Sequence, residues 1–406
     1  MKKLTVLKEE DTFSFKSLAD FSRPIYLDNN ATTQIDDDAA EEMLRMLEKD
    51  FANPSGMHTA GKVAKQNIEN ARKHVAEFIG CESSEVIFTS GGTESINTVF
   101  NSVLKTHYPR RHIISCWTEH GATLNKLKEI EEKWDPKYKI SYLDVNRDGK
   151  FDLAQLESFL CEKPHMNLLV SLMAANNETG TIHDNLFEAI ALAHKYDALT
   201  HVDAVQIAGK LSIKPYINAG ADFLTISGHK FHAPKGVGAL FVRKGIKFYP
   251  TIIGGYQENN RRAGTENVPG IVALGAVAKK MPVCGNEMLK LHEKFIQLLS
   301  THVPSCIING GGVPGTINVG FKYVHREAMV AKLSQYDVYA SVGSACAKGI
   351  EPSHVLKAMG IPNEYIHGSV RFSFSKYTTE NEVERAIDAI KKSYDEVRSY
   401  SKGIIP

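Results

Sequence analysis

Two short segments in the middle of the chain carry an acid and a lysine that could act together. Asp203 ends the strand-like run at 200–203, and Lys230 closes the Ser-Gly-His-Lys segment at 227–230. Taken alone, neither residue indicates a functional site, because an acid at the end of a strand usually caps nearby backbone groups and a lysine is usually solvated. Together, a carboxylate can keep a ring nitrogen protonated and an amine can bind an aldehyde covalently. If both follow neighbouring strands of an open α/β sheet, they face one crevice.

A glycine-rich turn upstream adds the third part of a ligand site. Residues 89–95 read TSGGTES, and they follow a strand-like run and open a helix-like one. Glycines such as Gly92 let the backbone approach an anion, and free N–H groups at a helix start attract it. One such turn is weak evidence. The order of anion turn, acid and lysine suits one cofactor, pyridoxal 5'-phosphate (PLP), so we expect PLP binding.

The elements that must position these residues follow an alternating rhythm of strands and helices. Helical segments of crossover length lie between most of the strand-like runs, which predicts a doubly wound, mainly parallel α/β sheet. The predicted strands are 86–88, 112–116, 168–174, 200–203, 223–226 and 239–242. Strands at 316–321 and 370–374 and a last helix at 380–400 predict a smaller α+β domain. We expect a large PLP-binding domain at 33–275 and the small domain at 1–32 and 276–406.

Composition narrows the classes of function. The 406 residues carry a net charge of +1, so neither nucleic-acid phosphates nor anionic lipids would attract the chain strongly. The longest apolar runs fall far short of the ~20 residues that span a bilayer, and the first residues lack the apolar stretch of a signal peptide. Six scattered cysteines predict neither a disulfide framework nor a metal site, and they favour a reducing cytoplasm.

Several further motifs occur in a fixed order and carry a family resemblance. They include YLDNNATT (26–33), NPS (53–55), TEH (118–120), NNETG (176–180), RAGT (262–265), GSAC (343–346) and VRFS (370–373). With the Asp203 and Lys230 segments, they resemble the cysteine desulfurases of the NifS/IscS type. These belong to the class-V aminotransferase group of fold-type I PLP enzymes. The resemblance runs from about Tyr26 to the C-terminal helix.

The resemblance implies roles in cofactor binding. Lys230 is expected to hold PLP covalently, Asp203 to pair with its ring nitrogen, and His120 to stack on the ring and transfer protons, as a flat group titrating near neutrality can. Thr265 is expected to reach the phosphate from the other subunit, which implies a homodimer with shared active sites. The other expected cofactor-binding residues are Gly92, Thr93, Asn177, Gln206, Ser227 and His229.

The resemblance also implies the substrate and the reaction. Arg371, with Asn177, is expected to bind the carboxylate of L-cysteine, a task that suits a planar guanidinium. Cys346 is expected to attack the substrate sulfur as a thiolate, leaving alanine and a protein-bound persulfide. The persulfide would pass to an acceptor protein, either an iron–sulfur cluster scaffold or a tRNA-thiolation relay. Selenocysteine lyase activity uses the same site and stays open, as does a catalytically idle partner in a sulfur-transfer complex.

Two segments depart from familiar patterns. The family commonly has a glycine at Tyr256 and an Arg-Gly pair at Asn259-Asn260, and the stretch after Cys346 is about one residue short. These departures bear on partner choice and efficiency. Residues 144–149 match the first half of a calcium loop, but position twelve is Gln155 rather than a bidentate glutamate. We expect a polar turn there, not calcium.

Overall fold

A seven-stranded sheet lies at the centre of the computed structural model, which describes residues 24–107, 109–133, 138–281, 286–343 and 352–401. Within these ranges the strand order is β2-β8-β7-β6-β5-β3-β4. β8 runs antiparallel to β2 and β7, and the other neighbours are parallel. The strands are β2 (Val86–Thr89), β3 (His112–Cys116), β4 (Lys139–Leu143), β5 (Asn167–Met173), β6 (Leu199–Asp203), β7 (Phe223–Ser227) and β8 (Gly238–Val242).

Helices cover both faces of this sheet, and the strand sequences explain why. Every residue of β2, β3, β5, β7 and β8 is buried, as expected for strands covered on two sides. Ile87 packs into one hydrophobic cluster, whereas Val86 and Phe88 pack into another, because neighbouring side chains of a strand point to opposite faces. The helices are α1 (Asp37–Glu48), α2 (Thr59–Ile79), α3 (Gly92–Thr106), α4 (Gly121–Lys133), α5 (Leu153–Glu162), α6 (Leu186–Lys195), α7 (Lys214–Asn218), α8 (Gln257–Asn260) and α9 (Val268–Lys280).

A second hydrophobic unit forms around an antiparallel sheet with the order β12-β10-β9. Its core also takes in Ile25 and Leu27 from the N-terminal arm, where β1 (Ile25–Tyr26) pairs in parallel with β11 (Val338–Tyr339). The remaining strands are β9 (Cys306–Ile308), β10 (Thr316–Phe321) and β12 (Ser369–Ser373). The helices are α10 (Asn286–His302), α11 (Arg326–Gln335), α12 (His354–Ala358), α13 (Asn363–Ile366) and α14 (Glu380–Ser401).

The prediction of an α/β fold with a large, mainly parallel sheet is confirmed. The exact domain boundaries, 33–275 against 1–32 with 276–406, stay a prediction. Residues 144–155 form a turn that closes on itself, since Gly149 donates to the Asn146 carbonyl and Gln155 bonds to Asp144. In the described ranges, no helix is both long and apolar enough to cross a membrane.

Candidate active site

A cavity of about 230 Å³ opens where β5, β6 and β7 end. It lies at the carboxyl ends of the parallel strands, which is where open α/β sheets bind their ligands. Every residue predicted to bind the cofactor lines it, with the exception of Thr265. Those residues are Gly92, Thr93, His120, Asn177, Asp203, Gln206, Ser227, His229 and Lys230. Residues from five separate stretches of sequence therefore meet in one space.

Asp203 and His120 form the deep side of the cavity. Asp203 is the last residue of β6, and one of its carboxylate oxygens accepts from the Val205 amide at 2.9 Å. Burial raises the pKa of Asp203, against the lowering effects of that hydrogen bond and of His120 and Lys230. Burial also lowers the pKa of His120. The Ala122 amide donates to Nδ1 of His120 at 3.1 Å, so a neutral His120 carries its proton on Nε2.

Lys230 approaches the cavity from the end of β7 and meets the N-terminal arm. Its Nζ donates to the carbonyls of Asn30 at 2.6 Å and Ala31 at 3.0 Å. The Gln206 side chain donates to the same Asn30 carbonyl at 3.1 Å. Because the YLDNNATT motif carried the family resemblance without any role for Asn30, sequence reasoning missed this contact.

The turn at 90–93 has the close backbone approach that an anion site needs. Gly91 has φ +148°, which other residues rarely adopt. A Cβ at Gly92 would lie 3.0 Å from the Val205 side chain. A second cavity of about 380 Å³ adjoins this turn and shares Gly92, Thr93, Ser227 and His229 with the first. The glycines therefore leave room for a group beside the start of α3.

Unpartnered polar atoms mark the cavity as a place for a ligand. Among the described residues, Gln206 Oε1 and His229 Nδ1 are buried and have no hydrogen-bond partner, although buried polar groups are normally paired. Burial, with help from Lys230 and Lys235, lowers the pKa of His229 to about 4. The set of an acid, a lysine, two amides and a helix-start turn fits PLP, which offers a ring nitrogen, an aldehyde, a phenolic oxygen and a phosphate.

Comparison with known proteins decides the family. The model of the aminotransferase class-V family matches residues 25–386. The chain belongs to this family. A cysteine desulfurase from Nostoc sp. is 43% identical over 93% of the chain and 94% of that relative. The cysteine desulfurase NifS of Azotobacter vinelandii is 39% identical over the same shares. The predicted resemblance to the NifS/IscS type is confirmed.

Solved structures of the family agree in fold. A NifS-like protein has a TM-score of 0.83 at 35% identity, over 93% of this chain and all of the other. A structure described as SspA in complex with cysteine has a TM-score of 0.76 at 30% identity, over 87% of this chain and 99% of the other. Class-V aminotransferases and cysteine desulfurases are PLP enzymes, and the chain shares their overall fold.

Two predicted site residues of this family member, Arg371 and Thr265, lie outside the cavity lining. Arg371, on β12, is buried, and it donates to Asp28 Oδ1 at 2.6 Å and to the Asn177 carbonyl at 2.9 Å. Thr265 is exposed and is not one of the described residues that line either cavity. Cys346 lies outside the described residues. The roles of all three stay predictions.

Two acids near the site had no role in the sequence interpretation. Asp28 is the salt-bridge partner of Arg371. Glu119, directly before His120, is fully buried, and its Oε1 accepts from the Met173 amide at 2.7 Å. Burial and, to a lesser degree, Asp203 raise the pKa of Glu119 well above its usual range. Both acids fall inside motifs of the family, and nothing local indicates what either one contacts.

Proposed function

We propose that the chain is a PLP-dependent cysteine desulfurase. It would convert L-cysteine into L-alanine and leave the sulfur as a persulfide on Cys346. One observation carries the proposal: Asp203, Lys230 and His120 line a single cavity whose buried Gln206 and His229 atoms lack partners among the described residues. The 39–43% identity to proteins named cysteine desulfurases adds to it.

The residues on the deep side would hold and activate the cofactor. PLP, when bound, supplies an electron sink for charge that develops on the substrate. Lys230 would hold its aldehyde covalently, and the Asn30 and Ala31 carbonyls hold Nζ as the free amine at the edge of the cavity. Asp203 would pair with the ring nitrogen of PLP. The positive charge of the protonated ring nitrogen would favour the carboxylate form of Asp203. His120 would stack on the ring and accept or return protons.

The phosphate would lie at the start of α3. Gly92 and Thr93 offer backbone N–H groups there, and Ser227 and His229 line both adjoining cavities. We propose that Thr265 of a second copy completes this site, so that the enzyme is a homodimer with shared active sites. Its exposure and its place outside this chain's own cavity lining support that arrangement.

The family resemblance assigns the sulfur-acceptor role to Cys346, and three of the described cysteines are poorly suited to it. Burial raises the pKa of Cys81 and Cys116 to about 12 and that of Cys306 to about 11, so these stay thiols rather than thiolates at neutral pH. Cys161 is exposed on α5, in contact with Tyr196.

The residues that flank Cys346 support the same assignment. Ser353 donates to Glu178 at 2.6 Å, and an added Cβ on Gly343 would lie 2.9 Å from the same carboxylate. Glu178 neighbours Asn177, which lines the cavity. Gly343 and Ser353, which are described residues on either side of Cys346 in the sequence, therefore lie at the edge of the site.

Arg371 would bind the substrate carboxylate together with Asn177, since it is the buried guanidinium adjoining the Asn177 backbone. The persulfide would pass to a sulfur-acceptor protein, a scaffold for iron–sulfur clusters or a relay for tRNA thiolation. The scattered cysteines support a cytoplasmic location for this activity.

Mass spectrometry after incubation with L-cysteine tests the function. We expect alanine in solution and one added sulfur atom on the peptide that contains Cys346. The Cys346→Ser variant should retain the cofactor absorption of the native protein but form no persulfide. Native protein that releases no alanine, or Cys346→Ser protein that releases it at the native rate, would contradict the proposal.

A further inference from the structure

The segment that departs from the family pattern has an unusual backbone. Glu258, Asn259 and Asn260 have φ values of +49°, +55° and +64°. Left-handed conformation is unfavourable for non-glycine residues, although asparagine tolerates it better. Three such residues in a row persist only where the surroundings hold them firmly. The contacts of this segment must therefore hold it.

A buried ion pair supplies that hold. The Glu258 carboxylate accepts two hydrogen bonds from Arg72, both at 2.7 Å, and one from the Phe88 amide at 2.9 Å. The side chains of Glu258 and Arg72 are only 3% and 6% exposed. A buried ion pair is stable when its geometry is bidentate and its other polar atoms are paired, and this one meets both conditions.

The same contacts cover the free edge of the central sheet. β2 is an edge strand in the described part of the chain, where one side of its backbone has no neighbouring strand. Glu258 accepts from the Phe88 amide, and both Arg72 and Arg261 donate to the Val86 carbonyl. Arg261 therefore holds the strand edge. We call the Arg72–Glu258 pair, with its bonds to β2, the edge clamp.

The edge clamp places Arg262 against the turn at 90–93. Arg262 Nε lies 3.0 Å from Glu94 Oε1 and its NH2 lies 3.3 Å from Oε2, and it also donates to the Ala263 carbonyl. Glu94 is the residue after Thr93, and its Oε2 accepts from the Ser90 amide at 2.8 Å. The Glu94 carboxylate thus closes the turn that would hold the phosphate.

This arrangement puts a negative charge beside an anion site. Burial raises the pKa of Glu94, but hydrogen bonds from Arg262 and Ser90 outweigh it and the net pKa is below its usual value. The carboxylate is therefore ionised at neutral pH. A phosphate bound at the same turn would be repelled by it, since like charges at close range oppose binding. Among the described residues, Arg262 is the cation that pairs with this carboxylate.

We propose that Arg262 is a positioning residue for the cofactor: it neutralises Glu94, and so sets the affinity of the turn at 90–93 for the phosphate of PLP. The inference rests on the proposed function, because it takes PLP as the ligand. The proposal also explains why the strained Glu258–Asn260 stretch is useful, because the edge clamp fixes Arg262 beside the start of α3. It also makes cofactor retention depend on residues outside the cavity lining.

A double-mutant cycle on cofactor binding tests the inference. The dissociation constant of PLP is measured by diluting holoenzyme and quantifying released cofactor by absorbance. The proteins are native, Arg262→Gln, Glu94→Gln and the double variant, with thermal unfolding of each as the folding control. We expect Arg262→Gln to raise the dissociation constant about tenfold. The double variant should return to within about threefold of native, because the charge that needed neutralising is gone.

A merely structural role for Arg262 would leave the double variant as weak as the single one, and that result would overturn the inference. So would native-like PLP binding by Arg262→Gln. Arg262→Lys keeps the charge without the fork, so its dissociation constant should lie between those of native and Arg262→Gln. A native protein that binds no PLP would overturn the proposed function and the inference together, whereas the other two results overturn the inference alone.

Discussion

The cofactor cavity and the neighbourhood of Arg371 treat their polar groups differently. In the cavity, Gln206 Oε1 and His229 Nδ1 are buried without partners among the described residues. Arg371, outside the cavity lining, also has one nitrogen, Nε, without a partner in the described part of the chain, but its two terminal nitrogens already donate to the Asn177 carbonyl and to the Asp28 carboxylate. The cavity is therefore complementary to a group that is not part of the chain, while the positive charge of Arg371 is balanced from within.

The difference has a consequence for how a substrate would bind. Leaving buried polar atoms unpaired costs free energy, which a ligand that pairs them returns as affinity. A carboxylate that reaches Arg371 must instead share it with Asp28. Guanidinium has five N–H donors, so sharing is feasible, and Asp28 then fixes the orientation of the fork. Cofactor binding and substrate binding should therefore respond to different substitutions.

The largest effect is expected on the cavity side, from Lys230→Ala. Loss of the covalent hold on PLP should reduce alanine formation by at least about 10³-fold, and the absorption of the bound cofactor should change. Lys195→Ala, on the surface and paired with Glu157, is the matched control and should behave as native. Comparable turnover by the Lys230→Ala and Lys195→Ala proteins would remove Lys230 from the mechanism.

In the neighbourhood of Arg371, the Arg371→Lys substitution should affect substrate binding alone. Lysine keeps the charge but cannot form the fork that contacts Asp28 and a carboxylate together, so KM for L-cysteine should rise by about 10- to 100-fold. Cofactor absorption should stay native. Steady-state kinetics at saturating PLP measure KM for L-cysteine, and an absorption spectrum measures the bound cofactor. A loss of bound cofactor with unchanged KM would reverse the contrast between the two regions.

A smaller change is expected from Asp28→Asn. The amide can still accept a hydrogen bond from Arg371 but no longer carries a charge, so the guanidinium is held less firmly and KM should rise by about three- to tenfold. PLP affinity, measured in parallel, should not change. If KM falls instead, Asp28 competes with the substrate for Arg371 rather than orienting it.

The smallest expected effect concerns stability and contrasts the buried His201 with the half-buried His229. Burial lowers the pKa of His201 to about 3 and that of His229 to about 4, both from 6.5. Below pH 6.5 the unfolded chain takes up protons that the folded chain excludes. The free energy of unfolding should therefore fall as the pH drops, by up to about 1.4 kcal/mol per pH unit for His201. Urea unfolding of cofactor-free protein at pH 7.5, 6 and 5 measures this slope.

Replacing His201 separates the contributions of the two histidines to the pH dependence of stability. His201 bonds to Ser171 and Thr225 inside the sheet, whereas His229 lines the cavity. His201→Gln should flatten the pH dependence without altering the effect of added PLP. A stability that stays constant between pH 7.5 and 5 would contradict the pKa assignment for both residues.

Much of the fold and the cavity could be predicted because their signals are local. Continuous apolar runs such as 223–226 predicted buried strands, and the helix-like segments between them predicted parallel pairing. Lys230 and Asp203 follow strands that end at one edge, so their meeting required only the topology of the sheet. The roles of Asn177 and Gln206 came from the family motifs, since an amide alone has no distinctive pattern.

The sequence by itself determined the elements, their order and the family, because hydrophobic periodicity and ordered motifs are properties of neighbouring residues. Only the tertiary structure decided which groups neutralise each other. Asp28 meets Arg371 across 343 positions and Arg72 meets Glu258 across 186. No local pattern encodes those pairings, because they depend on how two sheets and the N-terminal arm pack. The Asn259-Asn260 departure became interpretable only when the edge clamp accounted for its left-handed backbone.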